Sequence, residues 1–179
     1  MTTLRWALLV VGIAVLAAVA GFSLRSFSLD DGKTRAAATA SGDTLAKASF
    51  PDLAGKTQRL DQWRGKVLVV NFWATWCPPC LKEIPEFIRM QGRYGDQGLQ
   101  FVGVAIDQPE KVAPFAEKVG FNYPVLMGAL DAVELLRTLG NQHGGLPFTV
   151  VFDRSGALAA TELGGLDEAK LTRLVEPLL

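Results

Sequence analysis

The chain has 179 residues, the length of one domain with an added segment and a tight fit for two full domains. Lys+Arg and Asp+Glu are equal at 18 each, which excludes the basic footprint that nucleic-acid binding requires. The only cysteines are Cys77 and Cys80 and the only histidine is His143, which excludes a multi-disulfide scaffold and, without carboxylate help, a zinc site within one chain.

The first element is an uncharged run, Trp6 to Phe22, between Arg5 and Arg25. A spanning helix needs about 17–25 apolar residues, so an uncleaved membrane anchor fits. The competing reading is a signal peptide with Ala18-Val19-Ala20 at its cleavage site, although the run is long for a signal core of about 7–15 residues. Residues 1–25 are therefore read as anchor or signal. Arg5 on one side is matched by Arg25, Lys33 and Arg35 on the other, so charge alone does not orient the segment. Residues 26–43 are rich in Ser, Ala, Thr, Asp and Gly without an apolar period, the pattern of a flexible linker. A single folded domain is expected over 44–179.

Within that domain, Phe50 to Leu53 and Thr57 to Leu60 flank Ala54-Gly55-Lys56, which predicts a short hairpin. Val67 to Trp73 is continuously apolar and β-branched apart from Asn71, the signature of a buried central strand. Trp76-Cys77-Pro78-Pro79-Cys80 follows at once. Leu81 to about Tyr94 has helical spacing, with Leu81, Ile84, Ile88 and Gln91 in register, and Pro85 is expected to kink it or weaken its second turn. Leu99 to Ile106 predicts a second buried strand, Glu110 to Val119 a helix and Tyr123 to Met127 a short strand. Asp131 to Leu139 is a helix with Asp131 as its N-cap. Pro147 to Phe152 and Ala157 to Leu163 are strands joined by the turn Asp153 to Gly156. Asp167 to Leu178 is a closing helix with an Asp cap.

Strands alternating with helices imply an α/β domain with a largely parallel sheet and a terminal hairpin. A single C-x-x-C in this setting reads as the redox motif of a thioredoxin fold. Cys77 falls where a strand ends and a helix begins, and unpaired N–H groups and the helix dipole favour a thiolate there. Pro78 and Pro79 stiffen the loop in a turn that makes no use of their missing N–H groups. Cys77 is expected to attack a substrate disulfide, and Cys80 to resolve the mixed disulfide. Glu83 lies on about the same helix face as Cys80 and could take its proton, although spacing alone favours an exposed charge beside Lys82. Trp73 is expected in the core, Trp76 next to the motif as an apolar surface for substrates, and His143 in an exposed loop.

From Gly65 through Cys80, followed by Glu83 and Pro85, and with Leu146-Pro147 and Phe152 to Gly156, the chain resembles the TlpA/ResA-like (DsbE-like) family of membrane-tethered thioredoxin-like proteins. The resemblance implies a thioredoxin fold with an N-terminal hairpin and a helix–strand insertion near 109–127. It implies that Pro147 is cis and faces the cysteines, that the Leu146 backbone helps bind the substrate chain, and that Glu83 lies near the cysteines. Asn71 stands where cytoplasmic thioredoxins carry a buried Asp, and Glu83 would substitute for that acid. Phe148, where a small or hydroxyl residue is common, is expected to lie beside the cysteines and alter client choice.

The resemblance further implies a reductase anchored to the inner membrane with its domain in the periplasm, or exported after signal cleavage. It would act on protein disulfides, apocytochrome c or other exported clients among them, and take electrons from a membrane thiol transporter. No metal or separate cofactor is called for, since the Cys77–Cys80 pair is itself the redox centre. A disulfide oxidase or isomerase on the same scaffold, and a non-catalytic client-binding assembly factor, are the rival readings. A peroxidase would need a peroxide-reactive cysteine in its own motif, and no third cysteine is available.

Overall fold

The computed structural model describes residues 47–179, so the anchor-or-signal segment and the linker read at 1–25 and 26–43 lie outside the described residues. Strands β1 (Ser49–Pro51) and β2 (Thr57–Arg59) form the expected antiparallel hairpin. Asp52 organises its turn, with Oδ1 accepting from the Ala54 and Lys56 N–H groups at 3.0 and 2.9 Å. A 3-10 turn, Leu60–Trp63, leads into the main sheet.

The main sheet has five strands in the order β5-β4-β3-β6-β7. They are β3 (Val67–Trp73), β4 (Leu99–Ala105), β5 (Val125–Met127), β6 (Phe148–Phe152) and β7 (Leu158–Leu163). β3, β4 and β5 run parallel, and β6 and β7 are antiparallel to their neighbours. Four helices cover the sheet: α1 (Pro78–Tyr94), α2 (Pro109–Val119), α3 (Leu130–Thr138) and α4 (Glu168–Val175). Every residue of β3 and β4 is buried, because both faces of these central strands are covered.

Alternation along β3 sorts its side chains into two layers. Leu68, Val70 and Phe72 join Phe148, Val150 and Phe152 under Ala132, Leu136 and Leu139 of the α3 region, with Phe50 and Leu60 from the hairpin side. Val67 and Val69 pack on the other face with Phe87 and Met90 of α1 and Leu171 and Val175 of α4. Trp73 packs there with Ile84, Val112 and both cysteines. Asn71 shares the parity of Val69 and Trp73, so it faces the α1 layer.

Three expectations are corrected. The helix after the motif begins at Pro78, not Leu81, and its buried stripe is Cys80, Glu83, Ile84, Phe87 and Met90. Leu81, Ile88 and Gln91 lie only half-buried on the flanks. Beyond β5 the Gly128 N–H donates to the Ala105 carbonyl at 2.8 Å, and an added Cβ there would stand 2.8 Å from Val104 Cγ1, so the chain stays close against β4 and α3 starts at Leu130 with Ala129 in the cap position that Asp131 was expected to fill. Phe148 is buried in the α3-side core, on the sheet face opposite the cysteine cluster. The Asp167 cap forms as read, its carboxylate accepting from the Lys170 N–H at 2.8 Å. Helix α1 continues through Pro85, whose missing N–H leaves the Leu81 carbonyl without its helical donor.

Candidate active site

β3 ends at Trp73, and a short turn carries the chain to Cys77. Three hydrogen bonds hold this turn. The Cys77 N–H donates to the Ala74 carbonyl at 3.2 Å, and the Thr75 N–H donates to Asp107 Oδ2 at 3.0 Å. The Thr75 hydroxyl donates to the same Asp107 oxygen. Asp107 sits just beyond β4, and the pairing of Trp73 with Ala105 places these two strand exits side by side. The Thr75 and Gln108 donors hold the Asp107 carboxyl below its ordinary value, against the opposing pull of burial. The position of Asp107 after a neighbouring parallel strand was the available sequence signal, and the sequence reading missed it.

Cys77 is the N-cap of α1, with an extended backbone. Pro78 and Pro79 carry no N–H, so Cys80 supplies the first amide of the helix. Cys77 and Cys80 are joined as a disulfide with Cα atoms 5.3 Å apart. Cys77 retains 4% exposure and Cys80 none. Trp76 and Pro78 stand in solvent beside Cys77, Trp76 at 63% exposure. Trp73 is fully buried, its ring 5.5 Å from Phe115 and 5.6 Å from Phe121.

The Leu146–Pro147 bond is cis, as the resemblance implied. Leu146 is half-buried and packs against the cluster that contains both cysteines. Pro147 is buried, and its carbonyl accepts from the Gly164 N–H at 2.9 Å. His143 is exposed in the preceding loop, as expected.

Glu83 departs from the reading that spacing favoured. It is buried at 2% exposure, one helical turn beyond Cys80. Its Oε1 accepts from the Asn71 side-chain amide at 2.8 Å and its Oε2 from the Leu166 N–H at 2.9 Å. Asn71 also donates to the Thr149 hydroxyl at 3.0 Å. Burial pushes the Glu83 carboxyl up to about 7, while the Leu166 and Asn71 hydrogen bonds pull it down. An open groove of about 300 Å³ is lined by Pro79, Lys82, Glu83, Glu86, Leu166 and Asp167 among others. A buried acid poised near neutrality can exchange a proton with a thiol on the same helix face. The Leu166 donor carried no local sequence signal.

The AhpC/TSA family model matches residues 41–161. The thiol-disulfide oxidoreductase ResA of Geobacillus thermodenitrificans is 32% identical over 144 residues, covering 80% of this chain and 80% of that protein. The ResA of Halalkalibacterium halodurans is 27% identical over 166 residues, covering 92% and 89%. The crystal structure of a thioredoxin-family thiol:disulfide interchange protein from Chlorobium tepidum matches with a TM-score of 0.64 at 34% identity, over 73% of this chain and 92% of that one. The cysteine pair stands at the head of α1 in a frame shared with these proteins, and the chain belongs to the AhpC/TSA family and is a thioredoxin-fold thiol–disulfide oxidoreductase of the ResA kind.

Proposed function

We propose that the protein reduces protein disulfides outside the cytoplasmic membrane, tethered by its N-terminal segment or released after its cleavage. The Cys77 thiolate attacks one sulfur of a client disulfide, expels the other as a thiolate and forms a mixed disulfide. Cys80 then attacks the Cys77 sulfur. The second client sulfur leaves as a thiolate, the Cys77–Cys80 bond closes, two electrons have passed to the client, and its two thiolates take protons from solvent. Glu83 receives the proton that Cys80 gives up. Trp76, Pro78, Leu146 and Pro147 form the rim that meets the client. The cysteine pair is the only redox group required, and a dithiol donor, by resemblance a membrane thiol transporter, returns it to the reduced state.

The observation that carries this reading is the Glu83 carboxyl, buried one turn from Cys80 and raised to about 7. A proton acceptor near neutrality is what the resolving step needs. The reducing direction, and exported clients such as apocytochrome c, are supported by the resemblance to ResA-like proteins. The test is the reduction potential of the full chain in detergent, equilibrated against dithiothreitol buffers and read by thiol alkylation. A value near about −270 mV supports a reductase, and one near about −120 mV overturns that direction in favour of an oxidase.

A further inference from the structure

Next to Leu146 lies a buried polar arrangement that the reaction above does not use. Helix α3 ends at Thr138, and past its cap residue Leu139 comes Gly140, whose φ of +95° only glycine adopts freely. The Gly140 N–H donates to the Arg137 carbonyl and the Asn141 N–H to the Leu136 carbonyl, both at 3.1 Å. These are the two bonds of a Schellman cap, and they fix Asn141 against the helix end. The Asn141 carbonyl accepts from the Gly144 N–H at 3.1 Å, which turns the chain back on itself.

The Asn141 side chain then brackets one residue. Its Oδ1 accepts from the Gly145 N–H at 3.0 Å, and its Nδ2 donates to the Gly145 carbonyl at 2.8 Å. Asn141 is 3% exposed, so these bonds are made away from water. An apolar side chain could fill the same space without desolvating an amide. What the amide adds is orientation, because both peptide planes around Gly145 are held by one rigid group.

The next residue is the one left open. Neither the N–H nor the C=O of Leu146 has a hydrogen-bond partner among the described residues. Its neighbours are fixed on both sides, Gly145 by Asn141 and the Pro147 carbonyl by Gly164. A free donor and acceptor on a single residue are what an extended strand pairs with. An exposed apolar side chain flanks this position: Leu163, 60% exposed, lies so close that a Cβ on Gly145 would be 3.2 Å from its Cδ1.

We propose that Asn141 is a positioning residue for client binding, holding in place the Leu146 main chain that the resemblance already assigns to the client, so that it pairs with an extended, apolar segment. The inference rests on the client-reducing reading above. Its test uses the reduced full chain in detergent, with a synthetic apolar peptide carrying one internal disulfide and, separately, 4,4′-dithiodipyridine. The small aromatic disulfide has no peptide backbone to pair. Asn141→Ala is expected to raise the half-saturating peptide concentration about tenfold, the size of misaligning two main-chain hydrogen bonds. Its maximal rate and its rate with dithiodipyridine should stay within about twofold of wild type, as expected when only binding is lost. Asn141→Asp keeps the acceptor for the Gly145 N–H and should fall between the two. Equal loss with both disulfides, or no change with the peptide, overturns the proposal.

A second measurement needs no variant. Amide exchange should show Gly145 protected in the oxidised wild-type chain and Leu146 exchanging freely. Leu146 should become protected in the mixed disulfide of Cys80→Ser with the peptide. Leu146 remaining unprotected there overturns the proposal. A wild-type chain that oxidises the reduced peptide instead overturns only the reductase direction, and the same half-saturation comparison then tests Asn141 in that direction.

Discussion

The Asn71 amide nitrogen stands 2.8 Å from the Glu83 carboxylate, joining the central strand to the active-site helix inside the core. Two periodicities meet at this contact. Alternation along β3 turns Asn71 towards α1, and the helical repeat brings Glu83 into the stripe that begins at Cys80. Each residue is a polar intruder on its own element, and each is satisfied by the other.

Asn71 therefore helps set the acid, beneath the larger effects of burial and the Leu166 N–H. Replacing Asn71 with Leu removes a donor that stabilises the charged carboxylate, so the Glu83 titration should move above 7 as a single step. Asn71→Asp puts a second carboxyl against the first, and the two should share one proton and titrate in two separated steps. Carbon NMR of the Glu83 side-chain carboxyl distinguishes these outcomes.

Glu83 should also make folding stability depend on pH. Its carboxyl is raised from an ordinary 4.5 to about 7, so between those values the native state holds a proton that the unfolded chain has released. Its contribution is full below about 4.5, is lost as pH rises through 7 and is flat above, with a total near 3 kcal/mol. The carboxyls of Asp52, Asp61, Asp107 and Asp153 are lowered instead, so their opposite effects fall below 3.8. Denaturant titration of the oxidised protein from pH 4 to 8 should show the decline, and Glu83→Gln should abolish it. The same variant should slow resolution of the mixed disulfide on the order of 10²-fold at pH 7 and remove its inflection near neutrality.

The two tryptophans that frame the motif should separate cleanly. Trp73→Ala empties a fully buried site between Phe115 and Phe121 and should cost about 3–5 kcal/mol. Trp76→Ala removes an exposed side chain and should shift stability by no more than about 0.5 kcal/mol. Its effect should appear instead as a several-fold rise in the KM for a peptide disulfide. Chemical denaturation and steady-state kinetics on the same two samples check both statements.

Asp167→Ala should destabilise the protein by about 1 kcal/mol through loss of the α4 cap, read as a lower denaturant midpoint with an unchanged slope.

The central strands were plain in the sequence because strands covered on both faces must be apolar throughout, as Val67 to Phe72 nearly is. The cysteine pair was equally plain, since two thiols at the head of a helix have little else to do. The phase of α1 was harder. Leu81 and Ile88 are as apolar as Ile84 and Phe87, and an acid in the stripe looked like a surface residue until Asn71 and Leu166 supplied its partners. The α3 cap was misplaced because the close packing of Gly128 against β4, not a side-chain preference, sets where that helix starts. Asn141 and Asp107 act through loops, where composition carries no periodic signal.

Glu83 takes its second hydrogen bond from Leu166, 83 residues later and just ahead of the last helix. A chain emerging amino-end first holds both cysteines long before that donor exists. Until the segment ahead of the final helix docks, the acid lacks one of its two hydrogen bonds. The buried carboxyl beside the cysteines is thus completed by the newest part of the polypeptide.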